Sequence, residues 1–463
     1  MTWIPYQRLA PLARGLRGSV LAALVAAMAV GLARPAHTAT ATPKTLRIWY
    51  GSDDPAEQSW VKQVAQRFGT RYPTVQVKLS FYDLDDLIEK AQLSLSSGAA
   101  PDLLYTTPRG PGLPAYVHAG KLRDLSADVK KRGWAARLRP GLLAAYNQLL
   151  AANGTARDRG HVYAVPYLMA AVGVLYNKDI FRTLHLQVPR TTAQFAALLP
   201  RLKTAGYTPI GFGNEDAWVG DAWYLALLNA QVGPHALRPA LRLDPAFRFT
   251  AAPFRQAAAT LQGWARAGYF SRNFGSLDPQ EAVEDFFESG RTAMQLVSST
   301  QNAHILTALG DTDSKATNVG LFAFPSARGG QPPVMVQDGY SGWAIPTAAH
   351  NPAAALDFID QATSEDTASI LLAHGLLPAH RLDTRAMQPV APFQRDYLSA
   401  LAVATPGVYV DAAPIPNFLA TMEAHLQLLL KGRETPHTLT QRLQDVYASR
   451  GRTATFTRTD GEF

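Results

Sequence analysis

Between Leu46 and Tyr105 the hydrophobic period switches repeatedly, and that alternation restricts the fold more than any other feature of the chain. Leu46-Arg47-Ile48-Trp49-Tyr50 reads as a strand. Asp53-Asp54-Pro55 then offers a helix cap and a first-turn proline, and Val61, Val64, Ala65 and Phe68 follow at i, i+3, i+4 and i+7. Val75, Val77, Leu79 and Phe81 alternate as a strand does. Leu84, Leu87, Ile88, Ala91 and Leu95 mark a second helix, ended by Ser97-Gly98, and Pro101-Asp102 opens the strand Leu103-Leu104-Tyr105. A βαβαβ run this compact predicts an open parallel sheet. Ligands of such sheets bind beyond the carboxyl ends of the strands, here Tyr50–Asp54 and Tyr105–Arg109.

Further strands are expected at Val162–Val165, Val172–Tyr176, Thr292–Val297, Val319–Phe324 and Gly342–Ile345. Helices are expected at Thr191–Ala205 (strained by Pro200), Asp221–Gln231, Pro253–Ala267 and Asp278–Ser289, with helices dominating the remainder. No Pro/Ser linker divides the chain. Over 463 residues, 47% of them hydrophobic, this suits two lobes between which the chain crosses more than once. The absence of cysteine excludes disulfides, thiolate metal sites and a cysteine nucleophile.

The net charge of +8 has a local origin. Arg8, Arg14, Arg17 and Arg34 lie in the first 41 residues, which hold no acid; the rest of the chain has 40 basic against 36 acidic residues, and these are scattered. That distribution does not suit a nucleic-acid binder. The leading arginines precede an apolar run from Ser19 to Ala33 and the small-residue stretch AHTATAT, the pattern of a secretory signal over residues 1–41. The run is 15 residues, short of the roughly 20 that span a bilayer. We expect a soluble, exported monomer in the periplasm with the signal removed.

Seven fragments, taken in order, resemble one family: QRFGTRYPTVQVKL (66–79), SSGAAPDLLY (96–105), YAVPYLMAAVGVLYNKDIF (163–181), VPRTTAQFAAL (188–198), FFESGRTAMQL (286–296), GYSGWAIPTAAHNPAAALDFI (339–359) and GLLPAH (375–380). They are similar to the extracellular solute-binding protein family 1, the substrate receptors of ABC importers of the maltose-receptor type. The resemblance runs from about Leu46 to about Tyr447. It implies a periplasmic-binding-protein-like α/β fold, two lobes with a hinge and an interlobe ligand cleft. Lobe one would be 42–168 with 338–385, and lobe two 169–337 with 386–463. The chain would cross between them near Tyr167–Ala171, Val334–Asp338 and residue 385. It also implies a small-molecule ligand, a carbohydrate first of all, and as partners the permease subunits of a transporter with a separate ATPase.

A sugar offers hydroxyls for carboxylates and amides and apolar faces for aromatic rings. Tyr50, Asp53 and Asp54, at the tip of the first strand, suit the first role, with helix capping as the competing one. Trp218, Asp221 and Trp223 cluster after Ile210-Gly211-Phe212-Gly213, where the family brings aromatics to the ligand. Core packing is the competing role there, above all for the neighbouring Tyr224. Tyr105 and Arg109 follow the third strand; Arg109 leaves a charged ligand open, a glycerol phosphate ester for instance, as the carboxylates leave a polyamine open. Tyr167, Asp338 and Tyr340 stand at the crossings. Ser299 lies where relatives carry Gly-Ser-Trp, and Met422 where they have a stacking Trp, which argues against maltose itself.

Catalytic patterns are incomplete. Ser59-Trp60-Val61-Lys62 and Ser271-Arg272-Asn273 echo a penicillin-binding set, but Lys203-Thr204-Ala205 lacks the final glycine and precedes the second element. Gly339-Tyr340-Ser341-Gly342 carries Trp343 where a nucleophile elbow needs glycine. A periplasmic hydrolase is therefore the weakest alternative, and no cofactor or metal motif stands out.

Overall fold

The structure is a computed structural model and describes residues 44–108, 112–153, 160–310, 318–381, 392–413, 415 and 417–449. The expected signal segment, Arg109 and the crossing near residue 385 lie outside the described residues. None of the described helices is long and apolar enough to cross a membrane.

The βαβαβ unit forms from β1 (Lys44–Tyr50), α1 (Pro55–Arg71), β2 (Val75–Phe81), α2 (Leu84–Ser97) and β3 (Leu103–Thr106). All three strands are parallel, in the order β2-β1-β3, with Ile48 opposite both Leu79 and Leu103. Asp54 caps α1: its carboxylate accepts from the backbone N–H of Ala56 (2.7 Å) and Glu57 (3.3 Å), and Pro55 supplies the first turn. Gly98, at φ 78°, ends α2 in the left-handed conformation that glycine tolerates best.

The later strands are β4 (Ala164–Asn177), β5 (Thr208–Gly211), β6 (Thr292–Ser298), β7 (Val319–Phe322), β8 (Val334–Ala344) and β9 (Thr405–Gly407). The sheet runs β2-β1-β3-β8-β4-β6-β5, with β7 on β4 and β9 on β8. The expectation of separate strands at 162–165 and 172–176, and of a short one at 342–345, is corrected here. β4 and β8 are long and continuous. The end of β8 pairs with β3 (Leu104↔Ala344), and its start with β9 (Val334↔Thr405). Residues 164–171 of β4 pair with β8, and residues 172–177 with β6 and β7. Pro166 fits because β4 has β8 as its sole strand partner there, and the register shifts just beyond it.

The buried apolar residues form two clusters, each including strand residues of this sheet. One holds Leu46, Ile48, Trp60, Phe68, Leu103 and Trp343; the other holds Phe195, Phe212, Trp223, Met294, Met422 and Leu426. The first also takes in Val283, Phe286, Ile305 and Tyr397, which the sequence reading assigned to lobe two.

One close backbone approach sets the second half. A Cβ on Gly213 would stand 2.7 Å from the carbonyl carbon of Asp278 and 2.9 Å from Cα of Pro279, neither of which can yield as a flexible side chain does. Gly213→Ala is expected to cost about 1–3 kcal/mol, measured by urea denaturation.

Candidate functional site

The loop Gly51–Asp54 leaves the C-terminal end of β1 and turns directly into α1. A Cβ on Gly51 would stand 3.2 Å from the Tyr105 ring and collide with Leu87, so the backbone itself packs against β3 and α2. This brings the start of α1 to the rim of a cavity of about 840 Å³. Asp53, Asp54, Glu57 and Tyr105 line it from this side, and Tyr340 of β8 joins them. Of the two aspartates Asp54 is the cap, while Asp53 is exposed.

The opposite wall is built by α3 (Trp218–Val232) and α4 (Phe418–Leu430). Asn214 Oδ1 accepts from the Gly220 N–H at 2.6 Å, which starts α3 at Trp218 rather than at Asp221. Trp218, half-buried, and Asp221, 4% exposed, both line the cavity from its first turn. From α4, Leu419 and Glu423 line the cavity, while Met422 is fully buried on another face. Buried Asn229 of α3 ties in a further segment: its side chain donates to the Val408 carbonyl (2.9 Å) and accepts from the Val408 N–H (2.8 Å). That tie presents Tyr409 and Asp411 to the cavity. Ser298 caps the turn after β6 in a capping box with Gln301, and Ser298, Thr300, Gln301 and His304 complete the wall.

Several residues expected to touch ligand stand elsewhere. Trp223 is fully buried and outside the lining, among Phe195, Trp264 and Phe324 at ring distances of 5.6–5.8 Å. A helix with 12 of its 15 residues buried offers the cavity only Trp218, Asp221 and Ala222, near its start. Tyr50 and Tyr167 are buried beneath the floor and do not line it. Ser299, 1% exposed, clamps β4: its hydroxyl accepts from the Ala171 N–H (3.1 Å) and donates to the Met169 carbonyl (3.2 Å). Asp338 is half-buried on β8 and outside the lining, where its charge helps burial to raise the Tyr146 hydroxyl above its ordinary pKa. Ser341, in the would-be elbow, sits inside β8 with its hydroxyl bonded to that of Tyr105 at 2.9 Å.

Sequence reasoning missed Glu57, Asp411, Glu423 and Tyr409. Glu57 carried a signal, because it continues the apolar face Val61, Val64, Phe68 back by one turn. Its carboxyl is 4% exposed, and desolvation pushes it up to about 7 against the Tyr50 and Tyr167 hydroxyls that favour the charged form. The charge of the lining is one-sided. Asp53, Asp54, Glu57, Asp221, Asp411 and Glu423 face one imidazole, His304, and the described lining has neither Lys nor Arg. These carboxylates are spread out: among the described residues no group of three or more His, Cys, Asp or Glu is placed to hold a metal ion.

Known proteins share this fold. A chitin oligosaccharide binding protein superposes with a TM-score of 0.72 at 21% identity, covering 88% of this chain and 99% of that one. A sugar transporter protein of Bacillus licheniformis, solved with stachyose, gives 0.65 at 17% identity, covering 88% of this chain and 100% of its own. At such identities the likeness carries the fold, that of periplasmic binding proteins. The multiple sugar-binding protein of Streptococcus mutans is 20% identical over 273 residues, 58% of this chain; the match spans 60% of the relative's length. Residues 52–369, from the cavity loop through β8 and beyond, match the bacterial extracellular solute-binding proteins, and the chain belongs to that family of receptors rather than of enzymes.

Proposed function

We propose that this chain captures a small carbohydrate, a mono- or oligosaccharide, and delivers it in the periplasm to the permease subunits of an ABC importer. The observation that carries this reading is the cavity lining: the rings of Trp218, Tyr105, Tyr340 and Tyr409 stand beside carboxylates and the amides of Gln280 and Gln301. Rings suit the CH faces of a pyranose, and the acceptors suit its hydroxyls. Relatives named for sugars support it, one of them solved with stachyose.

In this reading residues 42–168 with 338–385 and residues 169–337 with 386–463 act as lobes that close on the ligand. A ligand touching both Asp53 and Trp218 binds the closed form better and so shifts the population toward it. The importer reads that closed shape.

The lining also discriminates among polar ligands. Carboxylates outnumber cations in the described lining, which disfavours an anion. Sugar phosphates, glycerol phosphate esters and uronates are therefore expected to give no binding heat. The acidic lining gives a polyamine as the second reading. Titration calorimetry on the mature protein with raffinose, stachyose, chito- and xylo-oligosaccharides, glucose 6-phosphate and spermidine separates these outcomes, and heat from spermidine alone would replace the sugar reading. Trp218→Ala is expected to weaken the best sugar at least about tenfold, since an aromatic platform contributes roughly 0.5–1.5 kcal/mol beyond its buried area. Unchanged affinity would place the stacking platform elsewhere.

A further inference from the structure

Beneath the cavity floor Tyr167 lies between the rings of Trp60 (4.5 Å, 10° between planes) and Trp343 (5.0 Å, 24°), which fixes its direction. Its hydroxyl is 2.6 Å from that of Tyr50, and the Tyr50 hydroxyl donates to Glu57 Oε2 at 2.9 Å. Tyr50 has one proton, and Glu57 receives it, so the Tyr167 hydroxyl donates to Tyr50. A second, longer approach of 3.4 Å runs from Tyr167 to Oε2. Two rigid phenols on different strands thus aim one carboxyl at the cavity it lines.

The ordinary structural task of a glutamate at this helix position is to accept from the cap residue's N–H. Here the Asp54 N–H goes to Ser52 Oγ instead, at 3.2 Å. An acid 4% exposed is costly to keep ionised, and a leucine would continue the same helix face at lower cost. The place of Glu57 in the first turn and the Tyr50 hydroxyl offset only part of that cost; the cavity gains an acceptor in a fixed place.

We infer that Glu57 is a ligand-binding residue of this cleft, its carboxylate aimed by the Tyr167–Tyr50 chain to accept a hydrogen bond from a hydroxyl of the bound sugar. Tyr50 and Tyr167 are then positioning residues that act through it. The inference rests on the carbohydrate reading above.

Because the sugar donates to the ionised form, binding and protonation compete. Burial raises this carboxyl to about 7, so the competition falls in an accessible range. The groups around it are Ser52 and Asp54 on the preceding turn, Tyr50 of β1, Tyr105 of β3 and Tyr167 of β4. Asp53, Asp221, Asp411, Glu423 and His304 share the described lining, and His304 serves as the control for a second titratable group there.

The test is calorimetric titration of raffinose and stachyose from pH 8 to pH 5 on four proteins. Wild-type affinity is expected to fall by up to about tenfold per pH unit below pH 7, as one competing proton requires. Glu57→Gln should bind about 10–100-fold more weakly at pH 8 and lose that dependence. Tyr50→Phe removes a donor to the carboxylate and should move the midpoint to higher pH, a change that a merely structural tyrosine would not cause. His304→Gln should keep the wild-type profile. A flat wild-type profile, a profile flattened by His304→Gln, or full affinity in Glu57→Gln overturns the acceptor role alone. No binding of either sugar by wild type at pH 8 overturns the carbohydrate reading for these sugars, and the acceptor role with it.

Discussion

Trp223→Ala is expected to lower the unfolding free energy by about 3–5 kcal/mol, the usual cost of emptying a large aromatic site in a core. Trp223 is fully buried, and its ring meets Phe195, Trp264 and Phe324, edge-on for the last two at 89° and 86°. Its indole Nε1 has no hydrogen-bond partner, so the loss is one of packing and cavity formation. Trp223→Phe should therefore cost less, since it keeps a ring and removes a buried, unsatisfied donor. Urea denaturation followed by circular dichroism measures both. The contrast with Trp218 is the sharper test: five residues earlier on the same helix, Trp218 is half-buried and lines the cavity. Its truncation should change affinity and leave stability within about 1 kcal/mol, as for a surface substitution. A Trp223→Ala protein that is stable but does not bind would return that residue to the ligand.

What sequence could and could not reveal follows from how local each signal is. The βαβαβ unit was legible because its period switches over a few residues, and the Asp-Asp-Pro cap marks the start of α1. The crossing strands were not. Residues 164–175 of β4 are all buried, so no polar alternation marks them as a strand. The start of α3 was misplaced because Ala217, the residue before it, carries no capping side chain; its first turn is tied instead by Asn214, reaching forward six residues to the Gly220 N–H, a tie that no propensity records. That the tip of β1 borders a cavity was legible because clefts of parallel sheets open at the carboxyl ends of their strands. Asp411 and Tyr409 were missed because Asn229, far away in sequence, brings their segment to the cavity. Glu423 was within reach, one helical turn from Leu419 and beside Met422, but which residues of this helix line the cavity depends on its packing against α3 and not on the local sequence.

Glu57 contributes a pH dependence of stability with a sign opposite to that of an ordinary paired carboxylate. Its folded pKa, about 7, lies above the usual glutamate value of 4.5. Between these two values the unfolded chain has released its proton and the folded chain keeps it, so unfolding releases a proton and stability falls as pH rises. The loss begins near pH 4.5, is nearly complete by pH 8, and amounts to about 3 kcal/mol at most, at 1.36 kcal/mol per pKa unit. Glu57→Gln removes the titration while keeping an oxygen for the Tyr50 hydroxyl. The variant should therefore be more stable than wild type at pH 8, by about 1–3 kcal/mol, and match it near pH 5. Urea denaturation of the unliganded proteins at the two pH values checks this without any knowledge of the ligand. A gain in stability joined to a loss of affinity is the signature of a residue retained for binding rather than for folding. A variant less stable than wild type at pH 8 would instead make the carboxylate a structural acceptor for the two tyrosines.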